Sequence, residues 1–237
     1  MTQYIGFDRK IKLTWLEATA WQTATAEDEQ QVRDYLDRVL QKEGLSKRGR
    51  QNTLTVLLRV WNLVPPEQKS IQEQALNLLP SADSDERLWL HWGMSILAYP
   101  FFTDIASIIG RLLALQGNAS LEQISRRVAD KWGERSTVEW ACPRVIRSMV
   151  DWDALRDTAA KGVYVAGPKK PAREKIQLWF LEILLKSNLT TALPLDQLEH
   201  LACAFPLEIT ISAPAIYSSD TLGIERQGLD MGLVVVK

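Results

Sequence analysis

Cysteine and histidine are scarce in this chain, which has two of each among its 237 residues. Cys142 and Cys203 lie far apart in the sequence and form no Cys-x-x-Cys pair, which excludes a disulfide framework. His91 and His200 have no cysteine or acidic residue at the spacing of metal ligands. We therefore expect no metal site, and the low cysteine content favours a reducing compartment.

Long apolar runs and an excess of one charge are also missing. The longest stretch without Asp, Glu, Lys or Arg is residues 88–103, and its 16 residues are too few for a membrane-spanning helix of about 20. No basic and then apolar leader opens the sequence. The 28 basic and 29 acidic residues give a net charge of −1, so any nucleic-acid site must be a local patch. The sequence predicts a cytoplasmic protein without a membrane segment.

The common motifs of phosphate-binding enzymes and of serine hydrolases are absent as well. Asp83, Asp85 and Glu86 form an acidic cluster, but their position favours the cap of a following helix over a pair of catalytic carboxylates. Cys142 is expected on a buried helix face, which argues against a nucleophile. No candidate catalytic set remains, so we predict a protein that is not an enzyme and uses no cofactor.

The composition that is present is that of a globular protein, with 46% hydrophobic residues, 24% charged residues and nine tryptophans, most of them expected in the core. Apolar residues recur at helical spacing through the first half, as Val32, Leu36 and Val39 illustrate. The predicted class is mainly α. The expected parts are a helical domain at 1–117, a winged helix-turn-helix at 118–170 and a small α+β C-terminal subdomain at 171–237.

The winged helix-turn-helix is predicted from two helices and a hairpin in immediate succession. Ser120, with a glutamine three residues later, has the capping-box pattern of a helix start, and Gly133 is a natural C-cap. Ser136 begins a second such pattern only three residues further on. Short strands are expected at 155–158 and 163–165. In this arrangement the second helix usually enters the major groove of DNA.

Helical geometry, at about 100° per residue, divides that second helix into two faces. The face expected to be buried carries Val138, Cys142, Val145 and Met149. The outward face carries Trp140, Pro143, Arg144 and Arg147. Because proline interrupts the hydrogen bonds of a helix, this helix is expected either to begin later or to bend.

Charge is unevenly distributed along the chain. Residues 118–175 hold 12 basic and 8 acidic residues, whereas residues 176–237 hold 3 basic and 7 acidic residues. Arginine binds guanine or phosphate, and a helix start suits phosphate. The candidate DNA-binding residues are Arg135, Ser136, Thr137, Trp140, Arg144 and Arg147 on the helix pair, Lys161, Lys169 and Lys170 on the wing, and Lys47, Arg48 and Arg50 in a second basic group.

Other interpretations of this surface stay open at this point. Outward arginines often form only a solvated face or pair with nearby acids, here Glu134, Glu139 and Asp151. Trp140 could stack on a base or sugar, or pack on the helical domain. The alternatives to DNA binding are a structural adaptor that docks a larger protein, and a transcriptional regulator, which would need a dimer.

The C-terminal subdomain is expected to follow a stiff basic linker at 167–171. A short helix is predicted at 195–204. Isoleucine, valine and threonine predict strands at 207–211 and 229–236, with a third strand and a turn between them at 224–228.

Three short segments resemble the BrxA proteins of BREX phage-defence systems. They are residues 46–50 (Ser-Lys-Arg-Gly-Arg) before a helix, residues 99–104 (Tyr-Pro-Phe-Phe-Thr-Asp) and residues 135–137 (Arg-Ser-Thr) at a helix start. The resemblance implies a small cytoplasmic DNA-binding protein of winged-helix character, without catalysis, that acts beside larger partners in host defence. The expected partners are double-stranded DNA and other defence-system proteins. Homo-oligomerisation is left open.

Overall fold

The computed structural model of the protein describes residues 4–187, 190–227 and 231–237. Within these ranges the chain is mainly helical with two small antiparallel sheets, which confirms the predicted mainly α class. The helices of the first half are α1 (Leu13–Thr25), α2 (Glu29–Lys42), α3 (Lys47–Trp61), α4 (Lys69–Leu78), α5 (Ser84–Ala98) and α6 (Pro100–Gln116).

Local capping explains where several of these helices begin. The side chains of Asp28 and Ser46 accept hydrogen bonds from backbone N–H groups three residues later, at the starts of α2 and α3. Asp83 forms a complete capping box with Glu86 at the start of α5, so the acidic cluster is the helix cap expected from the sequence. Gly117, with a φ of 75°, ends α6 in the left-handed region.

The second half adds four helices and six strands within the described residues. The helices are α7 (Leu121–Trp132), α8 (Ser136–Asp151), α9 (Glu174–Lys186) and α10 (Ala213–Tyr217). The strands are β1 (Ala119–Ser120), β2 (Leu155–Asp157), β3 (Val163–Ala166), β4 (Leu193–Pro194), β5 (Leu222–Gln227) and β6 (Met231–Val236). One sheet has the order β1-β3-β2 and the other the order β4-β6-β5, and all pairings are antiparallel.

The C-terminal prediction needs correction at two places. Residues 195–204, expected as one helix, form two short 3₁₀ segments. Residues 207–211 are not a strand, because Leu207 makes only an isolated bridge to Lys170 and the N–H of Thr210 donates to the Gln177 side chain. The strands at 224–228 and 229–236 were placed correctly where the structure describes them, whereas residues 228–230 lie outside the described residues.

Apart from Ala215, the buried apolar side chains of the described residues form one cluster that reaches from Ile5 to Val234. Trp61, Trp89, Trp92 and Trp152 are almost fully buried. Each indole N–H nevertheless donates a hydrogen bond, to His91 Nδ1 and to the carbonyl oxygens of Lys170, Cys203 and Ile11 respectively. Since a buried N–H without a partner is costly, these bonds let the large indoles serve as core anchors.

The most apolar part of the chain, α5 and α6, lies in this core. The two helices meet at Tyr99, whose extended backbone separates them at an angle of 119°. Among the described residues, no single helix is long and apolar enough to cross a membrane, and these two pass that test only as a bent pair.

Candidate nucleic-acid interface

The candidate site is built on α7 and α8, which a short turn joins. The predicted capping box opens α7, since Ser120 accepts from the Gln123 N–H and the Gln123 side chain accepts from the Ser120 N–H. Gly133, with a φ of 81°, ends α7 as expected. Asp104 of α6 holds this end in place by accepting from Lys131 Nζ at 2.7 Å and from Trp132 Nε1 at 2.9 Å.

The start of α8 differs from the expected capping box. The cap residue is Arg135, whose backbone is extended and whose carbonyl accepts the N–H groups of Val138 and Glu139. Ser136 already belongs to the first turn, and the cap residue Arg135 makes no side-chain cap bond. Ser136 and Thr137 are both exposed at this helix start, while Arg135 is partly buried and donates to the Trp132 carbonyl.

The two faces of α8 lie as helical periodicity predicts. Val138, Cys142, Val145 and Met149 are buried. Trp140, Arg144 and Arg147 are exposed, and Pro143 is partly buried. The helix runs without interruption from Ser136 to Asp151, so the expected late start is wrong. Pro143 costs the carbonyl of Glu139 its helical partner, and this loss falls at an exposed residue, where water can replace the missing N–H.

Trp140 and Arg144 form the most accessible part of this face. The Trp140 side chain is 64% exposed, although a tryptophan is rarely so uncovered. The Arg144 guanidinium lies 5.8 Å from the centre of the Trp140 ring and donates from Nη1 to the Asp8 carbonyl at 3.0 Å. The guanidinium is thus held in position by one carbonyl and one aromatic ring.

Arg147 is placed differently from Arg144, although both point outward. Its Nη1 lies 2.7 and 2.8 Å from the two carboxylate oxygens of Asp157 in β2. The hydrogen bond to Asp157 and its charge, with a smaller contribution from Tyr164, raise the pKa of Arg147 above its ordinary value. Arg147 therefore ties α8 to the hairpin, and a DNA contact through it would compete with this pair.

The wing, defined here as the β2–β3 hairpin, brings only one of the predicted lysines to its tip. Lys161 is exposed in the turn between the strands. Lys169 and Lys170 follow β3 in the linker and are not part of the hairpin, which corrects their predicted position. Lys169 pairs with Glu208 at 3.0 Å. Lys170 is mostly buried and pairs with Asp85 at 3.0 Å and with Asp153 at 3.6 Å.

These linker contacts were invisible in the sequence because they join residues far apart along the chain. Arg173 donates through its backbone N–H and its Nε to Glu86, and Trp89 donates to the Lys170 carbonyl. The segment predicted as a stiff basic linker is bound to the rest of the protein, and its lysines form ion pairs within the molecule.

The second basic group lies on the first turn of α3. Lys47 and Arg48 are exposed, whereas Arg50 is partly buried, pairs with Asp37 at 2.8 Å and donates to the Leu45 carbonyl. Only two of these three predicted contacts are therefore open to a partner.

Sequence reasoning missed one element of the site, residues 4–12, which we name the N-terminal strap. The strap lies beside α8, where Ser148 Oγ accepts the Ile11 N–H and Asp151 Oδ1 accepts the Leu13 N–H. Phe7 and Ile11 anchor it in the core. The apolar residues Ile5, Phe7 and Ile11 among glycine and charged residues were the available signal, but the segment is too short to give a clear period.

A cavity of about 440 Å³ opens between α7 and α8 at the turn. Its lining includes Arg126, Ala129, Glu139 and Cys142. Burial raises the pKa of the Cys142 thiol to about 11, so the thiol stays protonated at neutral pH and is a poor nucleophile. The described residues hold no group of three or more His, Cys, Asp or Glu side chains that could bind a metal ion.

Comparison with known proteins yields no relative from which a role could be transferred. No protein-family model matches the chain, and no curated protein and no solved structure matches it. The function must therefore be argued from the residues themselves.

Proposed function

We propose that this protein binds double-stranded DNA through the outward face of α8. The observation that supports the proposal is the succession β1-α7-α8-β2-β3 with the strand order β1-β3-β2, which is the order expected of a winged helix-turn-helix. In that arrangement the second helix of the pair is the one that enters the major groove. The face of α8 opposite the core is uncovered in the described chain, as this role requires.

Arg144 and Trp140 provide the chemistry for a groove contact. Arginine has five N–H donors in a flat fork, and one N–H of Arg144 is used by the Asp8 carbonyl. The others can bind a phosphate or the O6 and N7 atoms of guanine. The exposed ring of Trp140 offers a surface for a sugar or a base.

Two flanking features support phosphate contacts on either side of that face. The start of α8 presents the backbone N–H groups and hydroxyls of Ser136 and Thr137, which suit an anion. Lys161 at the tip of the wing can reach an adjacent phosphate. Arg147, Lys169 and Lys170 are left out of the proposed contacts because their charges are paired within the molecule.

A structural adaptor is the second candidate function, and the exposure of Trp140 favours it. Tryptophan and arginine are the residues most often found at the centre of protein interfaces, and Arg144 lies against Trp140. The role in phage defence and the BrxA relationship rest on the sequence resemblance alone. The cytoplasmic location rests on that resemblance and on the low cysteine content and short apolar runs of the sequence, and all three are proposed with the function.

Fluorescence anisotropy of a labelled duplex, titrated across salt concentration, tests DNA binding. Arg144→Gln is expected to weaken binding roughly tenfold, within the 1–3 kcal/mol of one lost arginine contact. The slope of log K against log salt should fall by about 0.9 if the lost contact is a phosphate. Arg226→Gln, which removes an exposed charge from β5, is the matched control and should leave both quantities unchanged.

Equal affinities of Arg144→Gln and the wild-type protein would reject the α8 face as the binding site. Absence of binding at low salt by folded protein would reject DNA binding altogether. Capture of a protein partner that survives nuclease and high salt, and that is lost in Trp140→Ala, would then favour the adaptor.

A further inference from the structure

The outward face of α3 carries positive charge without any negative charge. Arg48, Asn52, Thr55 and Arg59 follow one another at spacings of four, three and four residues, which places them in one stripe, and all four are exposed. Lys47 is exposed at the same end of the helix. No acidic residue occurs between Glu43 and Glu67. Soluble helices usually mix both signs on an exposed face, so this stripe is unusual.

These cations are also not neutralised by the rest of the described chain. Lys47, Arg48 and Arg59 make no ion pair there, in contrast to Arg50, which pairs with Asp37. The Arg59 guanidinium lies 5.2 Å from the ring centre of Tyr4 and 5.4 Å from that of Tyr99. A guanidinium held on aromatic rings keeps its N–H groups for an additional partner.

The N-terminal strap connects this stripe to α8. Tyr4, at one end of the strap, contacts Arg59 of α3. Asp8, in its middle, accepts from Arg144 of α8, and Lys10 pairs with Asp151 at the end of α8 at 2.9 Å. The strap thus contacts α3 at its first residue and α8 through the residues that follow.

We propose that the stripe on α3 is a second DNA-binding surface, which binds the phosphate backbone of the same duplex that α8 contacts. This inference rests on the proposed function of α8. Arg48 and Arg59 are 11 positions apart, which corresponds to about 16 Å along the helix at 1.5 Å per residue. That length corresponds to about five base pairs at 3.4 Å each. A row of cations without acids matches a polyanion, and its lack of a protruding aromatic or wing favours phosphates over bases.

Duplex length separates the two surfaces in a binding experiment. Wild-type protein should bind a duplex of about 24 base pairs more tightly, and with a steeper salt slope, than one of about 10 base pairs, because only the longer one reaches both surfaces. The variant Lys47→Gln/Arg48→Gln/Arg59→Gln should bind the long duplex at least about tenfold more weakly and lose roughly 0.9 of slope per contact. Its affinity for the short duplex should change less than about twofold.

The control is Lys69→Gln/Lys175→Gln/Arg226→Gln, which removes three exposed charges from α4, α9 and β5. It should leave the dependence of affinity on duplex length intact. If both variants lose that dependence, the cause is the change in net charge and not the position of the cations on α3. Since Arg59 packs on two tyrosines, thermal unfolding of each variant is followed by circular dichroism, and Lys47→Gln/Arg48→Gln replaces the triple variant if the latter is destabilised.

Three results would overturn the inference. Unchanged long-duplex affinity in the α3 variant, with Arg144→Gln still defective, rejects the second surface and keeps the first. If the α3 variant loses the same affinity for the short and the long duplex, the α3 cations do not bind a separate part of the DNA. No binding of either duplex by wild-type protein rejects both proposals together, and an acidic protein would then be the partner to seek for α3.

Discussion

Two regions of this molecule share one succession of elements and differ in almost everything their surfaces offer. The first region runs from α6 to β3 and contains β1, α7 and α8, with the hairpin strand β3 in the centre of its sheet. The second runs from α9 to β6, and β6 is likewise central between β4 and β5. In both, a long helix, a short strand and helical turns precede a hairpin.

The two regions differ most in the helix that precedes the hairpin. In the first region α8 has 16 residues and an uncovered face. In the second, α10 has only 5 residues, and two 3₁₀ segments stand where α7 would be. A helix of that length has little more than one turn to present. The charge also differs, since residues 118–175 are net basic and residues 176–237 net acidic.

Strand order alone therefore does not define a binding surface. The first region has an exposed helix and a wing. The second uses its turns for packing: the backbone at Ala202 lies so close to α6 that a Cβ on Gly110 would be 1.9 Å from the Ala202 carbonyl oxygen. Three contacts at the junction of the two regions test this interpretation.

Trp92 is the core junction, since its ring contacts Phe102, Trp152 and Phe205 and its indole donates to the Cys203 carbonyl. Trp92→Ala should lower the free energy of unfolding by roughly 3–5 kcal/mol. Trp21→Ala, at a tryptophan that is 40% exposed, should cost about 1 kcal/mol or less. Urea denaturation followed by fluorescence and circular dichroism measures both. Two separate transitions in the wild-type protein would contradict a core shared by the regions.

Gly110 tests the contact between α6 and the turn at Ala202. Gly110→Ala should destabilise the protein by about 1–3 kcal/mol. The new Cβ would clash with backbone atoms of Ala202, which cannot rotate away as a flexible side chain could. Gly49→Ala in α3 is the control, since its Cβ would meet only Ser46 Oγ at 3.2 Å and Leu45 Cβ at 3.8 Å. If thermal unfolding shows the two variants equally stable, the close approach of the second region to α6 is not real.

Asp153 tests the ionic junction with the linker. Hydrogen bonding to Arg156, and the charges of Arg156 and Lys170, hold the pKa of Asp153 below its ordinary value. Because the pKa of Asp153 is lower in the folded state, its ionised form stabilises the folded protein when the pH is above the ordinary pKa of aspartate. This stabilisation is lost as the pH falls through the lowered pKa. Asp153→Asn should therefore cost less than about 1 kcal/mol at neutral pH, and the cost should shrink as the pH is lowered towards about 2.

Asparagine is the suitable replacement because Asp153 has a φ of 53°, which asparagine tolerates. Unfolding in urea at the two pH values measures the effect. A difference from the wild-type protein that persists unchanged at the lower pH would show that the side chain acts through its shape and not its charge.

Local rules were enough for the middle of the chain. Capping at Ser120, the C-cap at Gly133, the two faces of α8 and the hairpin all follow from signals within a few residues, because side chains three or four positions apart share a helix face. The second capping box failed because the chain enters α8 at Arg135, one residue before the serine that was expected to cap it.

Interactions between distant residues were decided only when the chain folded. Arg144 and Arg147 have equivalent positions on the α8 face, yet one contacts a carbonyl of the strap and the other pairs with Asp157. Lys170 meets Asp85 across 85 positions of sequence, so a linker that reads as a free basic segment is bound within the molecule. Periodicity assigns a side chain to a face, but the partner on that face depends on which other segment packs there. For that reason the sequence alone predicts the helices, their ends and the exposed face of α8. The position of the strap, the pairing of the cations and the second sheet depend on long-range packing and were decided only by the tertiary structure.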